Sequence, residues 1–197
     1  DVNKNLDGLG FSARFRNYVD LGEDANFELS ASAITGKREQ PLATSLASGP
    51  NAVNVRQSLV GADLTYRWKP LQQGLYKSFL LQAEVMRQIN QLPTGYNTSA
   101  LGAAYSGPTR DFTGGYVFAR WQLSQRLFIG GRFDSLQDPA LDGRSMAAAS
   151  GLLEWFPSEF SKLVAQYERT SPSGMPGLDR ILLQASFAVG PHKPHPF

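Results

Sequence analysis

The sequence predicts an all-β fold, an antiparallel meandering transmembrane β-barrel with about nine strands in this chain of 197 residues. Three observations predict it. Nine segments alternate apolar and polar residues with a period of two, which is the side-chain period of a strand. The connections between them alternate between short and long. Trp68, Trp121 and Trp155 each close an apolar parity just before a short connection. Indole is apolar with one polar N–H, so a ring of indoles around a barrel suits a membrane–water interface. Three core tryptophans of a soluble β protein are the plainer alternative.

Each segment carries its own alternation. In 10–20, Phe11, Ala13, Phe15 and Val19 oppose Ser12, Arg14, Arg16 and Tyr18. In 26–35, Phe27, Leu29, Ala31 and Ala33 oppose Glu28, Ser30 and Ser32. In 58–69, Val60, Ala62, Leu64, Tyr66 and Trp68 oppose Gly61, Asp63, Thr65, Arg67 and Lys69. In 78–88, Phe79, Leu81, Ala83 and Val85 oppose Leu80, Gln82, Glu84 and Met86. In 114–123, Gly115, Val117, Ala119, Trp121 and Leu123 oppose Tyr116, Phe118, Arg120 and Gln122. In 126–134, Leu127, Ile129, Gly131 and Phe133 oppose Phe128, Gly130, Arg132 and Asp134. In 147–156, Ala147, Ala149, Gly151, Leu153 and Trp155 oppose Ala148, Ser150, Leu152, Glu154 and Phe156. In 161–169, Leu163, Ala165 and Tyr167 oppose Val164, Gln166 and Glu168. In 180–189, Ile181, Leu183, Ala185 and Phe187 oppose Leu182, Gln184 and Ser186. Most segments hold about nine to eleven residues, the length a tilted transmembrane strand needs. Leu80, Phe128 and Leu152 fall on the polar parity and predict packing inside. Gly114-Gly115 and Gly130-Gly131 predict bends or close strand approach.

Short connections fall near 21–25, 70–77, 124–125 and 157–160, and long ones near 36–57, 89–113, 135–146 and 170–179. The long ones carry the breakers Gly49-Pro50, Gly107-Pro108, Asp138-Pro139 and Pro176-Gly177. Short turns at one end and long loops at the other is the outer-membrane arrangement, and all three tryptophans lie at the short-turn end. Arg87, at the outer end of an apolar parity, is expected to snorkel to lipid head groups.

Composition narrows the classes. Charged residues make up 18%, against about 25% in a usual soluble domain. No run of about 18 apolar residues occurs, so no transmembrane helix is expected. A net charge of +2 without a basic cluster does not suggest nucleic acid. Cysteine is absent, which excludes disulfides and thiolate chemistry. The only histidines are His192 and His195, in the tail, so a serine–histidine hydrolase on the wall is not expected. No catalytic residues and no cofactor are predicted.

The chain is expected to be one β-barrel domain over 1–197, or the C-terminal portion of one, with an extended tail over 190–197. Its first residues, Asp1-Val2-Asn3-Lys4, do not read as a signal peptide. A last strand running down to the periplasm makes the first readable strand run downward too. A single-chain bacterial barrel has an even strand number. Strands upstream, or another chain, are therefore expected to close the barrel, with outer-membrane lipid around it.

The stretches Phe11–Asp20, Asn26–Gly36, Gly61–Pro70, Trp155–Phe160 and Leu183–Phe197 together resemble the C-terminal half of outer-membrane β-barrel proteins labelled zinc-regulated TonB-dependent receptors. The resemblance touches nearly the whole chain. It implies an outer-membrane barrel with a transport role that is metal-related. Receptors of that kind also carry an N-terminal plug, and no stretch of these residues reads as one, so TonB coupling is not implied.

The polar parity carries Arg14, Arg16, Glu28, Asp63, Arg67, Glu84, Arg120, Arg132, Asp134, Glu154 and Glu168. In a dry core each would cost several kcal/mol unless paired. A water-filled lumen or a dense ion-pair network resolves this. Mixed signs announce no ring of one charge, and a structural ladder of ion pairs along the wall is the favoured reading. His192 and His195 lie three apart, and imidazole suits zinc, copper or nickel. Two ligands are too few for a closed zinc site, and the prolines keep the segment extended. A tail shaped for barrel insertion is the favoured reading there.

The function expected is passage of small solutes or ions across the outer membrane. The alternatives are a structural or partner-binding outer-membrane barrel without an open pore, and a soluble β-barrel that binds an apolar ligand.

Overall fold

The computed structural model describes residues 9–41, 52–91, 109–138 and 144–188. They form nine strands: β1 (Phe11–Asp20), β2 (Ala25–Pro41), β3 (Ala52–Trp68), β4 (Phe79–Gln91), β5 (Thr109–Ser124), β6 (Leu127–Asp138), β7 (Arg144–Ser158), β8 (Ser161–Pro172) and β9 (Leu178–Phe187). All nine lie in one sheet in sequence order, and every neighbouring pair is antiparallel. This is the meander that the alternating segments and hairpin-length connections call for. Among the described residues no helix is long and apolar enough to cross a membrane, which does not bear on crossing by strands. Among the described residues the sheet does not close on itself. β1 pairs only with β2 and β9 only with β8, so each offers an unpaired edge.

Register keeps the two parities apart. Leu64 lies opposite Leu29 on one side and Ala83 on the other, and Ala83 faces Val117, which faces Phe133. Phe133 faces Ala149, and Leu153 faces Ala165, which faces Leu183. One residue away, Asp63 faces Ser30 and Glu84, Glu84 faces Tyr116, and Tyr116 faces Asp134. The body of the sheet thus has one mainly apolar face and one mainly polar face. Its two register shifts, between Gln122 and Ser124 and between Trp155 and Ser158, sit at the short-turn end. They leave the faces in the body of the sheet unmixed.

The burial is inverted relative to a water-soluble core. In the interior strands, Val85, Val117, Ile129, Phe133 and Leu153 on the apolar face are 44–52% exposed, whereas the edge strands β1 and β9 are exposed on both faces. The side chains that are buried lie on the polar face: Ser30, Thr65, Gln122, Phe112 and Phe128. An apolar face of this extent left uncovered is far from the single scattered hydrophobes of an ordinary surface.

Several strands run longer than their alternation. β2 and β3 each have 17 residues and β5 has 16. The extra length is at the long-loop end, where Lys37 pairs with Arg56 and Gly36 with Gln57. The apolar parity turns polar there at Lys37 and Arg56, so the pattern that marks the apolar face stops while the backbone ladder continues.

Two glycines allow neighbouring strands to approach. A Cβ on Gly115 would stand 2.5 Å from the Glu84 carbonyl oxygen, and one on Gly130 would stand 2.9 Å from the Ala119 carbonyl oxygen. These are the close approaches expected from the glycine pairs. A Cβ on Gly151 would meet nothing within 4 Å. Gly115→Ala should therefore destabilise the protein by about 1–3 kcal/mol, as overpacking does. Gly151→Ala should change it by less than about 1 kcal/mol in the same urea titration.

Candidate functional site

The polar face is where the charged side chains gather, because antiparallel pairing stacks one parity of nine strands on one side. At the β1–β3 end, Arg14 donates to both oxygens of Asp63, at 3.2 and 3.1 Å, reaching across β2. Beneath it lies Ser30, 1% exposed, whose Oγ is 3.4 Å from the same Arg14 nitrogen. Beside this pair, the Glu28 carboxylate sits between two guanidiniums, Arg16 at 3.0 Å and Arg67 at 3.9 Å.

A second set of charges covers β5 to β9. Arg120 donates to Glu154 at 3.0 Å, and Lys162 lies 4.0 Å from the other oxygen of that carboxylate. The Glu154 side chain is only 12% exposed. Arg132 makes a forked contact with Asp134 at 2.7–2.9 Å and lies 4.0 Å above the Tyr116 ring. Arg180 on β9 donates to Glu168 on β8. The expected charges therefore share one face and are joined in pairs of opposite sign. Glu84 is different. It stands directly opposite Asp63, and no ion-pair partner for it occurs among the described residues.

The apolar residues on the polar parity have a packing role. Phe128, 7% exposed, meets Phe156 edge-on at 5.5 Å and lies under the Arg120 guanidinium at 5.0 Å. Gln122 sits beside it in register and is 2% exposed. Its amide donates to the Leu75 carbonyl at 3.0 Å and accepts from the Ser78 hydroxyl at 2.8 Å. Leu75 belongs to the β3–β4 connection, which makes a helical turn through Gln73 N–H to Pro70 and Lys77 N–H to Gln73. That connection is bound to the polar face at its short-turn end.

The tryptophans are on the opposite, apolar face. Trp68 and Trp121 flank Phe79 in one row, with the two indoles stacked at 5.7 Å and Phe79 5.5 Å from Trp121. Trp155 stands one step nearer the turns, facing Leu127 and Leu163. Aromatics thus cluster at the short-turn end of the apolar face.

His192 and His195 lie outside the described residues. Among the described residues no group of three or more His, Cys, Asp or Glu side chains gathers as a metal site requires. Comparison with protein-family models, with curated proteins and with solved structures finds no match to this chain.

Lys162, Arg180 and Gln122 complete the site without having been singled out as charged or buried members of it. Lys162 and Arg180 share the parity of Glu154 and Glu168, so the alternation held the signal. The burial of Gln122 depends on the folded 70–78 connection, which no local pattern announces. Glu154→Gln should cost about 1–2 kcal/mol, since a mostly covered carboxylate loses two cations. A double-mutant cycle of Arg120→Gln with Glu154→Gln should give a coupling of about 0.5–1 kcal/mol. The same cycle on the exposed Arg169–Asp179 pair, 3.5 Å apart on the apolar face, should give none that can be measured.

Proposed function

We propose that this chain forms the wall of an outer-membrane β-barrel that lets small solutes or ions pass along its polar face. The observation that carries the reading is the inverted burial: nine strands expose one apolar face and gather their charges on the other. A soluble barrel binding an apolar ligand would turn the apolar parity inward, and the exposed Val117, Ile129, Phe133 and Leu153 of the interior strands, beside the buried Ser30, Gln122 and Phe128 of the polar face, argue against that arrangement. The apolar run from Val60 to Trp68 is about 26 Å along the strand at roughly 3.3 Å per residue. Tilted by about 40°, it covers about 20 Å of height, close to the ~25 Å apolar band of such barrels. The aromatic cluster at the short-turn end fits a girdle at one interface.

The open edges belong to the same reading. In hydrocarbon, unpaired N–H and C=O groups cost several kcal/mol each, so β1 and β9 must meet each other, further strands or a partner chain. The polar face then becomes the lumen. Its paired charges of both signs suit polar solutes without strong ion selectivity. The resemblance to zinc-regulated receptors adds a metal-related role to the proposal, for the barrel alone.

A second reading is a barrel with no open pore, serving a structural or partner-binding role. The 70–78 connection favours it, because that segment is held to the polar face by Gln122 and narrows its short-turn end. Single-channel recording in a planar bilayer decides between the two. Discrete conductance steps are expected for the solute-passing barrel, and a silent bilayer with inserted protein would favour the occluded one.

Leu64→Arg, mid-strand on the apolar face, should cost about 2–4 kcal/mol in lipid. Ala148→Arg, on the polar face beside Asp134, should cost much less. Equal tolerance of the two in a refolding titration into vesicles would reverse the assignment of faces.

A further inference from the structure

The apolar face is interrupted by a groove of about 720 Å³. Its floor and walls include Ala83, Val85, Gly115, Val117 and Phe133, with Leu29 at its far side. The groove reaches its upper limit where β5 and β6 separate. The ladder between them ends at Gly114 and Leu136. Above that point the Thr113 N–H is taken by the side chain of Gln137, at 3.0 Å, instead of by a strand neighbour. Thr113 lines the groove, and its partner across β4 is Arg87.

Arg87 stands at the mouth of this groove, one step beyond Val85 on the same face. Its guanidinium is held by Asp111 at 2.7 Å, and the side chain is 57% exposed. A guanidinium has five N–H donors, and the recorded bond uses one nitrogen, so donors remain for a second acceptor. Lys37 and Arg56 lie opposite each other further toward the long-loop end of that face. On β2 to β5, between the Arg87–Thr113 row and the Lys37–Arg56 pair, the cations are Lys37, Arg56 and Arg87 and the acid is Asp111. Arg87 thus places a half-exposed guanidinium at the rim of the groove, and the groove below it is apolar.

We propose that this groove binds one acyl chain of an anionic, phosphate-bearing lipid, with the head-group phosphate on Arg87. The match is between a long apolar cleft that begins beside a half-exposed guanidinium and a ligand with a phosphate at one end of a hydrocarbon chain. Arginine suits that role because its planar fork binds phosphate through two parallel bonds. Asp111 fixes the fork in place, which lowers the entropy lost on binding. The proposal rests on the membrane reading above, because only a lipid-facing groove meets this ligand.

Native mass spectrometry tests it on the whole protein extracted from membranes in mild detergent. The probes are phosphatidylglycerol and phosphatidylcholine with identical acyl chains. The wild-type protein should retain phosphatidylglycerol about tenfold better, the gain of charge-assisted hydrogen bonds. Arg87→Gln should remove that preference and leave phosphatidylcholine retention unchanged. Ala83→Phe, which fills the groove, should weaken both lipids, and Val117→Phe provides a second filling variant if the first does not fold. Millimolar inorganic phosphate should not displace the lipid. Equal retention of the two lipids, an unchanged preference in Arg87→Gln, or displacement by phosphate would each overturn the proposal. A protein that stays monodisperse in water without detergent would overturn the membrane reading and this proposal with it. One that inserts into vesicles but shows no lipid preference would overturn only this proposal.

Discussion

The period of two along each strand is the constraint on which the rest of this structure depends. A slip of one residue at any hairpin would carry Leu64, Val117 or Leu153 to the charged side and Asp63, Arg120 or Glu154 to the apolar side. The register avoids this across eight pairings, from Arg14 opposite Ser32 to Gln166 opposite Leu182. The two irregularities fall beyond Trp121 and Trp155, close to the turns, where a shift no longer moves the faces. Ion pairing then strengthens the choice. Arg14 reaches Asp63 across β2, and Arg120 reaches Glu154 across β6, contacts that fit the observed register.

Pairing on the polar face also explains how so many charges can sit close together. Most of these pairs keep water on one side, so each contributes little by itself. Their collective effect is to hold opposite signs next to each other across adjacent strands, and Tyr116 and Phe128 add flat surfaces under Arg132 and Arg120. Glu84 is the exception in this pattern, facing Asp63 and lacking a cation of its own among the described residues. The face therefore presents both signs side by side along the sheet.

Much of this was legible in the sequence because period two is a local signal. The parities of Phe27 to Ala33, Val60 to Trp68 and Ile181 to Phe187 assign the faces directly, and the sheet agrees with each of them. Phe128 on the polar parity correctly marked inward packing, since Phe156 and Arg120 cover it. Strand length was less legible. Lys37 and Arg56 lie where the apolar parity of β2 and β3 turns polar, so the pattern that marks the apolar face stopped short of them. The pairing of Gln122 with Leu75 and Ser78 was not legible, because it joins residues 44 and 47 positions apart through a turn of unspecified shape. The groove below Arg87 was likewise not legible, because its lining comes from six strands, β2 to β7, and is a property of the sheet and not of any one strand.

The central claim is that the apolar face meets lipid, and the three tryptophans on that face can report it directly. Their fluorescence in vesicles can be quenched either by brominated lipids from within the bilayer or by acrylamide from water. If the account is right, lipids brominated near the head group will quench Trp68, Trp121 and Trp155 strongly, and acrylamide will quench them weakly. Strong acrylamide quenching with no effect of brominated lipid would place these indoles in water and contradict the account.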